Sequence, residues 1–245
     1  MSHVTRARRI VRFDRVGSTM VEAALLAAEG CAPGTAVVAD EQTAGQGRHG
    51  HSWHSEPGSG LYVSIVLDAA RDAPPDPVLT LALGLATSEA IARETDIRCD
   101  LRWPNDVMIG EKKVAGILVQ LAGATAIAGI GINVNHQAFP VELSREATSL
   151  RIETGRSHNR EELLAELLRS VDSFSGMLRG GGKASILRQF TQASSYANGK
   201  RVTVQMGGRV VEGVSGGLDD SGFLRLRKDD GTVESIIAGG VRPKL

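Results

Sequence analysis

Cysteine is scarce in this chain: Cys31 and Cys99 are its only two in 245 residues, and they lie far apart in sequence. That excludes a disulfide framework and fits a reducing compartment, with both thiols expected as packing residues rather than nucleophiles. No stretch of about 18 apolar residues free of charge occurs, so nothing is expected to span a bilayer. The leader, residues 1–12, has arginines at 6, 8, 9 and 12 but lacks the apolar core of a signal peptide. A cytoplasmic protein is therefore expected. An excess of charge of either sign is missing too: Lys+Arg and Asp+Glu stand at 28 each. No global field favours nucleic acid or an anionic membrane, and any basic surface must be local. Internal repeats and low-complexity tracts are also absent. What remains is a chain long enough for one substantial core and a small satellite.

Glycine, by contrast, is concentrated where it can act. Residues 41–53 read Glu-Gln-Thr-Ala-Gly-Gln-Gly-Arg-His-Gly-His-Ser-Trp, with glycines at 45, 47 and 50. Such spacing lets the backbone adopt φ > 0 and approach a ligand without Cβ obstruction, at an entropic cost that a merely connecting loop has no reason to bear. Arg48 can meet an anion and Trp53 can offer a flat face. The glycines fit G-x-G-x-x-G, but a dinucleotide or P-loop site needs a strand before the motif and a helix after it. Here residues 61–67, Leu-Tyr-Val-Ser-Ile-Val-Leu, read as a strand, and the dinucleotide reading fails on context.

Around this loop the pattern alternates between strand and helix. Residues 10–13 predict a short strand, and Thr19-x-x-Glu22 is a capping box opening a helix that runs to Glu29 and stops at Gly30. Residues 35–40 and 61–67 predict strands that hold the glycine loop between them. Residues 72–77 read as a proline-rich turn, followed by helical spacing at Leu79, Leu83, Ala86, Ala90 and Ile91. Residues 100–103 lead into a turn at Pro104-Asn105-Asp106, and the apolar runs 113–121 and 124–134 are expected as buried strands. An apolar stripe from Leu163 to Leu178 predicts a helix started by Asn159. Gly180-Gly181-Gly182 is a weak break, and residues 190–198 are expected to lead out of the first domain. Beyond them the period becomes two, with short strands around 202–206, 210–214, 223–226 and 233–237 separated by Gly- and Asp-rich turns. A small β-barrel packed on its neighbour follows, and the expected division is 1–194 and 195–245.

Four segments ask for one explanation: Gly17-Ser18-Thr19; the glycine loop; Arg102-Trp103-Pro104-Asn105-Asp106 followed by Lys112-Lys113-Val114-Ala115-Gly116-Ile117-Leu118; and Gly129-Ile130-Gly131-Ile132-Asn133-Val134-Asn135. In this order and spacing they resemble the biotin protein ligases. The resemblance runs from about Phe13 to the C-terminal barrel. It implies an α+β fold: a mixed-sheet catalytic domain akin to class II aminoacyl-tRNA synthetases and lipoate ligases, followed by an SH3-like barrel. It also implies an enzyme that makes biotinyl-5′-AMP from biotin and ATP, with Mg²⁺, and transfers biotin to a lysine of a biotin carboxyl carrier protein. Only about ten residues precede the catalytic motifs, so the likeness is to the monofunctional type without a DNA-binding domain. A monomer and a homodimer both remain open.

Biotin's ureido ring offers two N–H donors and a carbonyl, so a buried site must supply acceptors and a donor. The resemblance assigns biotin binding to Ser18, Thr19, Gln42, Gly45, Gln46, Gly47, Arg48, Lys113 and Gly116. Ser18 and Thr19 also have an ordinary use as helix caps, and the two roles can coexist. Joining a carboxylate to the α-phosphorus of ATP brings two anions together, so cationic stabilisation in a water-poor site dominates. Lys113 and Arg48 are the implied catalytic pair, although a solvated lysine and a surface arginine are their plainer readings. Arg48, Trp53, Arg102, Asn105, Asp106 and Asn133 are implied on the adenylate side, with Asp106 near the magnesium that travels with ATP. A turn is the plainer reading of Asn105 and Asp106. The loop departs from the family's Gly-Arg-Gly-Arg-x-Gly-Arg by losing cations at Gln46 and His51, and Arg102 stands where lysine is usual. Three alternatives stay open: a metal held by His49, His51 and His54; a lipoate or octanoyl ligase; and a non-catalytic module that senses biotin.

Overall fold

The structure is a computed structural model, and it describes residues 8–68, 77–122, 125–206 and 208–243. Most of the leader and of the proline-rich turn, together with Gly123, Ala124 and Gly207, lie outside the described residues. Seven strands form one mixed sheet: β1 (Ile10–Val16), β2 (Ala36–Gln42), β3 (Gly60–Asp68), β4 (Asp100–Arg102), β5 (Asp106–Ile109), β6 (Lys112–Ala122) and β7 (Thr125–Asn133). Their spatial order is β1-β2-β3-β7-β6-β5-β4. Only β1 and β2 run parallel; every other pairing is antiparallel.

Strand alternation distributes side chains between two layers. Leu61, Val63, Ile65 and Leu67 of β3 enter the main core, while Val66 joins Val37, Ile127, Met20 and Ala23 in a smaller cluster on the opposite face. The main core is closed by α2 (Val78–Thr95) and α4 (Arg160–Arg179), which pack on each other, and by α5 (Lys183–Ala193). The smaller cluster is closed by α1 (Thr19–Ala28), which covers β2, β3 and β7. Being short, α1 leaves part of that sheet face uncovered.

Asn159 caps α4 as expected, its side chain accepting from the backbone N–H groups of Glu161 and Glu162. The capping box at Thr19 does not form. Ser18 is the N-cap and makes no side-chain cap bond, because the N–H and hydroxyl of Thr19 both turn to Gln42 Oε1, at 2.9 and 3.0 Å. Residues 190–198 do not simply lead out of the first unit: α5 runs to Ala193 and buries Ile186 and Phe190. β4, β5 and the one-turn helix α3 (Leu150–Thr154) also arise where turns or nothing regular were expected. Each is five residues or fewer, too short for a periodic signal.

The C-terminal strands β8 (Asn198–Met206), β9 (Arg209–Leu218), β10 (Leu224–Arg227), β11 (Val233–Ile236) and β12 (Gly240–Pro243) form an antiparallel sheet in the order β11-β10-β9-β8-β12. Its Val202, Val204, Leu224, Leu226, Ile236 and Val241 are continuous with the main core. The buried Trp103 ties the two sheets together, its Nε1 donating to the Gly222 carbonyl at 3.0 Å. Cys31 and Cys99 are free thiols packed beside the two apolar clusters, and burial pushes the Cys99 thiol up to about 12, unsuited to a nucleophile. No helix among the described residues is long and apolar enough to cross a membrane.

Candidate active site

The cleft lies on the face that α1 leaves open, and missing side chains create it. Tyr62 of β3 pairs with Gly131 of β7, which pairs with Gly116 of β6; beside this row, Ser64 pairs with Gly129 and Gly129 with Leu118. Three glycines in two central strands thus lower the floor beside the start of α1. Strand glycines weaken a sheet and are found where a ligand or another group comes close. Here that group is the indole of Trp53. A Cβ at Gly116 would lie 2.8 Å from Trp53 Cζ3, and one at Gly131 would lie 2.5 Å from Cε2. The cleft, open to solvent and about 450 Å³, is also lined by Thr19, Gln42, Gln46, Gly47, Arg48 and Lys113.

At its α1 end the polar groups form a chain. Ser64 Oγ donates to Thr19 Oγ1 at 2.8 Å, Thr19 donates to Gln42 Oε1, and Gln42 Nε2 donates to Ser55 Oγ at 3.0 Å. Ser18 Oγ is buried beside them with no partner. The glycine loop folds back on itself: Gly47 N–H donates to the His51 carbonyl at 2.7 Å, and Trp53 N–H to that of Gly45 at 2.9 Å. Gly45 cannot carry a side chain, since its Cβ would stand 2.7 Å from the Trp53 carbonyl oxygen.

At the other end the charges converge. Arg48 donates to Asn105 Oδ1 at 3.0 Å and to the Gly239 carbonyl at 3.1 Å, so the loop reaches the C-terminal sheet. Burial lowers the Arg48 pKa from its usual value, with Asp106 opposing the shift. Lys113 Nζ lies 2.6 Å from Asp106 Oδ1 and 5.1 Å from the centre of the Trp53 ring. Arg102 meets the other carboxylate oxygen at 2.7 Å. Burial alone would raise the Asp106 carboxyl, but the two cations override it and hold it below the usual carboxylate range.

Of the residues singled out from sequence, Thr19, Gln42, Gln46, Gly47, Arg48, Trp53, Asn105, Lys113 and Gly116 line one cleft. Ser18, Gly45, Arg102 and Asp106 stand just behind it, joined to lining residues through bonds or packing. Asn133 is different: it is buried and its Nδ2 donates to the Thr148 carbonyl at 3.0 Å, tying a following loop to the sheet. Sequence reasoning missed Tyr62, Ser55 and Ser64. The alternation of β3 was the signal for two of them, because it puts Tyr62 and Ser64 opposite the core residues Val63 and Ile65, whereas Ser55 lies before that strand and carries no periodic signal. His49, His51 and His54 do not gather as a trio of ligands; among the described residues the group that does is His54, Glu56 and His136.

The biotin/lipoate A/B protein ligase family model matches residues 13–136, and the biotin protein ligase C-terminal domain matches 198–241. The bifunctional ligase/repressor BirA of Bacillus spizizenii is 34 % identical over 237 residues, 91 % of this chain and 71 % of that protein. The chain belongs to the biotin protein ligase family. Another relative, the biotin–[acetyl-CoA-carboxylase] ligase of Mycobacterium tuberculosis, is 31 % identical, covering 95 % of this chain and 88 % of that one. Among solved structures, the biotin protein ligase from Aquifex aeolicus in complex with biotin and ATP superposes with a TM-score of 0.88 at 32 % identity, covering 96 % of this chain and 99 % of the other. The family's α+β fold, with its mixed catalytic sheet and SH3-like C-terminal sheet, is therefore the fold found here.

Proposed function

We infer that this protein activates biotin with ATP as biotinyl-5′-AMP and transfers the biotinyl group to a lysine of a carboxylase carrier protein. The observation that carries this reading is the convergence of Arg48 and Lys113 on one glycine-floored cleft whose far end is a chain of small polar groups. The Aquifex ligase, similar along the whole length, binds biotin and ATP.

The polar end suits the ureido ring. Ser18, Thr19 and Gln42 supply hydroxyl and amide partners, and the unpartnered Ser18 Oγ gains one when a ligand arrives. Gln46, Gly47 and Gly116 line the cleft, with Gly45 packed behind them against the Trp53 carbonyl. The biotin tail then runs along the indole of Trp53, which covers Gly116 and Gly131, toward Lys113. There its carboxylate oxygen attacks the α-phosphorus of ATP, the bond to the bridging oxygen breaks, and pyrophosphate leaves with that electron pair. Lys113 and Arg48 stabilise the charge gathering on the phosphoryl oxygens. Asn105 orients Arg48, and Asp106 with Arg102 holds Lys113. Trp53 provides an apolar face, and Asn133 acts through the loop it anchors. In the second step the carrier lysine attacks the mixed anhydride and AMP departs, a step helped by orientation and dryness.

Magnesium belongs with the phosphates of ATP, where it retains most of its water. Asp106 does not fit as the ligand of a resident ion, because Lys113 and Arg102 already engage both of its oxygens. The change of sheet between α5 and β8 supports division of the chain into a catalytic part, 1–194, and a barrel, 195–245.

The decisive experiment incubates the protein with ATP, labelled biotin and an apo carrier domain, beside the Lys113→Ala variant. Label on a carrier lysine, lost by roughly a hundredfold or more in the variant, is expected. Absence of transfer by the native chain, or preference for lipoate or octanoate over biotin, would overturn the reading.

A further inference from the structure

Just outside the cleft, the segment that follows Trp53 meets the end of β7. His54, Glu56 and His136 each offer a ligand atom there, all within 4.8 Å of one another. His136 is fully buried, His54 half-buried and Glu56 exposed, so the group opens to solvent on one side only. The buried imidazole is unusual in what it leaves unsatisfied. The Tyr62 hydroxyl donates its proton to the Glu56 carbonyl at 3.0 Å, and its oxygen lies 3.4 Å from His136 Nε2. With that proton on the Glu56 carbonyl the oxygen accepts from the ring, which assigns the proton of the neutral tautomer to Nε2. Nδ1 is left as a bare lone pair, buried and without a partner. A stacked contact with Phe139 at 5.0 Å holds the ring in place, and the His54 ring lies 5.8 Å away.

We propose that His54, Glu56 and His136 form a binding site for one divalent cation of the zinc type, completed by water. Two imidazoles and a carboxylate are a donor set for zinc rather than for magnesium or calcium, which prefer oxygen alone. The Tyr62 hydroxyl plays the outer-shell part such sites need, fixing the tautomer of a ligating imidazole. A neutral imidazole is the ligating form, and the buried Nδ1 lone pair supplies it. Tetrahedral bonds of the usual length place donors about 3.4 Å apart, so binding draws the loop residues His54 and Glu56 toward the fixed His136. Ser55 sits between those two ligands and receives the Gln42 amide at 3.0 Å. The ion would therefore brace the polar wall of the cleft from behind. It is a structural site, since none of its ligands lines the cleft.

The test is calorimetric titration of the chelator-treated full chain with Zn²⁺, with Co²⁺ as a spectroscopic probe of the ligand set. One equivalent of Zn²⁺ bound at micromolar concentration and a rise in melting temperature are expected. His54→Ala, Glu56→Gln and His136→Phe should each weaken binding by about tenfold or more. A His49→Ala, His51→Ala double variant should bind Zn²⁺ as the native chain does. His54 and Glu56 are not buried, so their variants keep the test valid if His136→Phe fails to fold. No saturable binding below millimolar Zn²⁺ would overturn the proposal. So would affinity unchanged by the His54 and Glu56 replacements, or lost on replacing His49 and His51. The readout is bound metal rather than product, so failure here leaves the ligase reading untouched.

Discussion

Acid should destabilise this protein through His136 well before its carboxylates titrate. The ring is fully buried, and burial is the main reason its pKa lies at about 4 rather than 6.5. As pH falls below 6.5 the unfolded chain takes up a proton that the folded ring refuses, so stability declines from that point and the decline saturates near pH 4. The full difference amounts to about 3 kcal/mol, and about 2 kcal/mol of it is already lost at about pH 5. The sign is the same as for a carboxylate whose pKa folding depresses, since both lose stability on acidification, but the carboxylate's contribution survives until lower pH. Urea unfolding of chelator-treated protein at about pH 7 and pH 5 measures it, with His136→Phe as the reference because phenylalanine keeps the stack on Phe139. The native chain should lose about 2 kcal/mol more than the variant between the two conditions. Equal losses would mean that His136 is not held neutral by burial.

Asp106→Ala leaves Lys113 and Arg102 facing each other without their shared anion. Removing the partner of a largely buried pair should destabilise the fold by about 3 kcal/mol, read by the same unfolding assay. Gly131→Ala puts a methyl group 2.5 Å from Trp53 Cε2, so the indole must leave the floor. The expected cost is about 1–3 kcal/mol, with a shift in the emission of Trp53 and none in that of Trp103, whose ring is locked against Gly222. An unchanged spectrum would contradict the packing described. Arg48→Gly removes the bonds to Asn105 and Gly239 and a cation of the cleft. Biotinyl-AMP should escape into solution, and retention equal to that of the native chain in a filter assay would refute the role assigned to Arg48.

Long, strongly patterned segments are legible in the amino-acid sequence. The stripe from Leu163 to Leu178 with its Asn159 cap, the apolar runs that form β6 and β7, and the period-two pattern beyond residue 200 all appear as expected. Short elements are not legible, because β4, β5 and α3 draw their stability from neighbours rather than from their own periodicity. The Thr19 capping box shows how a local rule loses to a distant partner: Gln42, 23 residues away, takes both of its donors. Several side chains around the cleft are legible as chemistry but not as geometry. Nothing local reveals that Asp106 sits between Lys113 and Arg102, or that Asn133 spends its amide on the Thr148 carbonyl.

By itself the amino-acid order determined which chemistries were on offer: a pliant glycine loop, cations at 48 and 113, and glycines spaced by two at 129 and 131. These are properties of residue type and spacing, which survive in any conformation. Tertiary structure decided which of them meet. Antiparallel register lines Gly131 up with Gly116 to make a floor, a bulky indole fills it, and His136 is carried beside Glu56 from a position 80 residues away in sequence. Contacts of that kind depend on the pairing of whole strands, because a one-residue slip would turn every side chain to the other face.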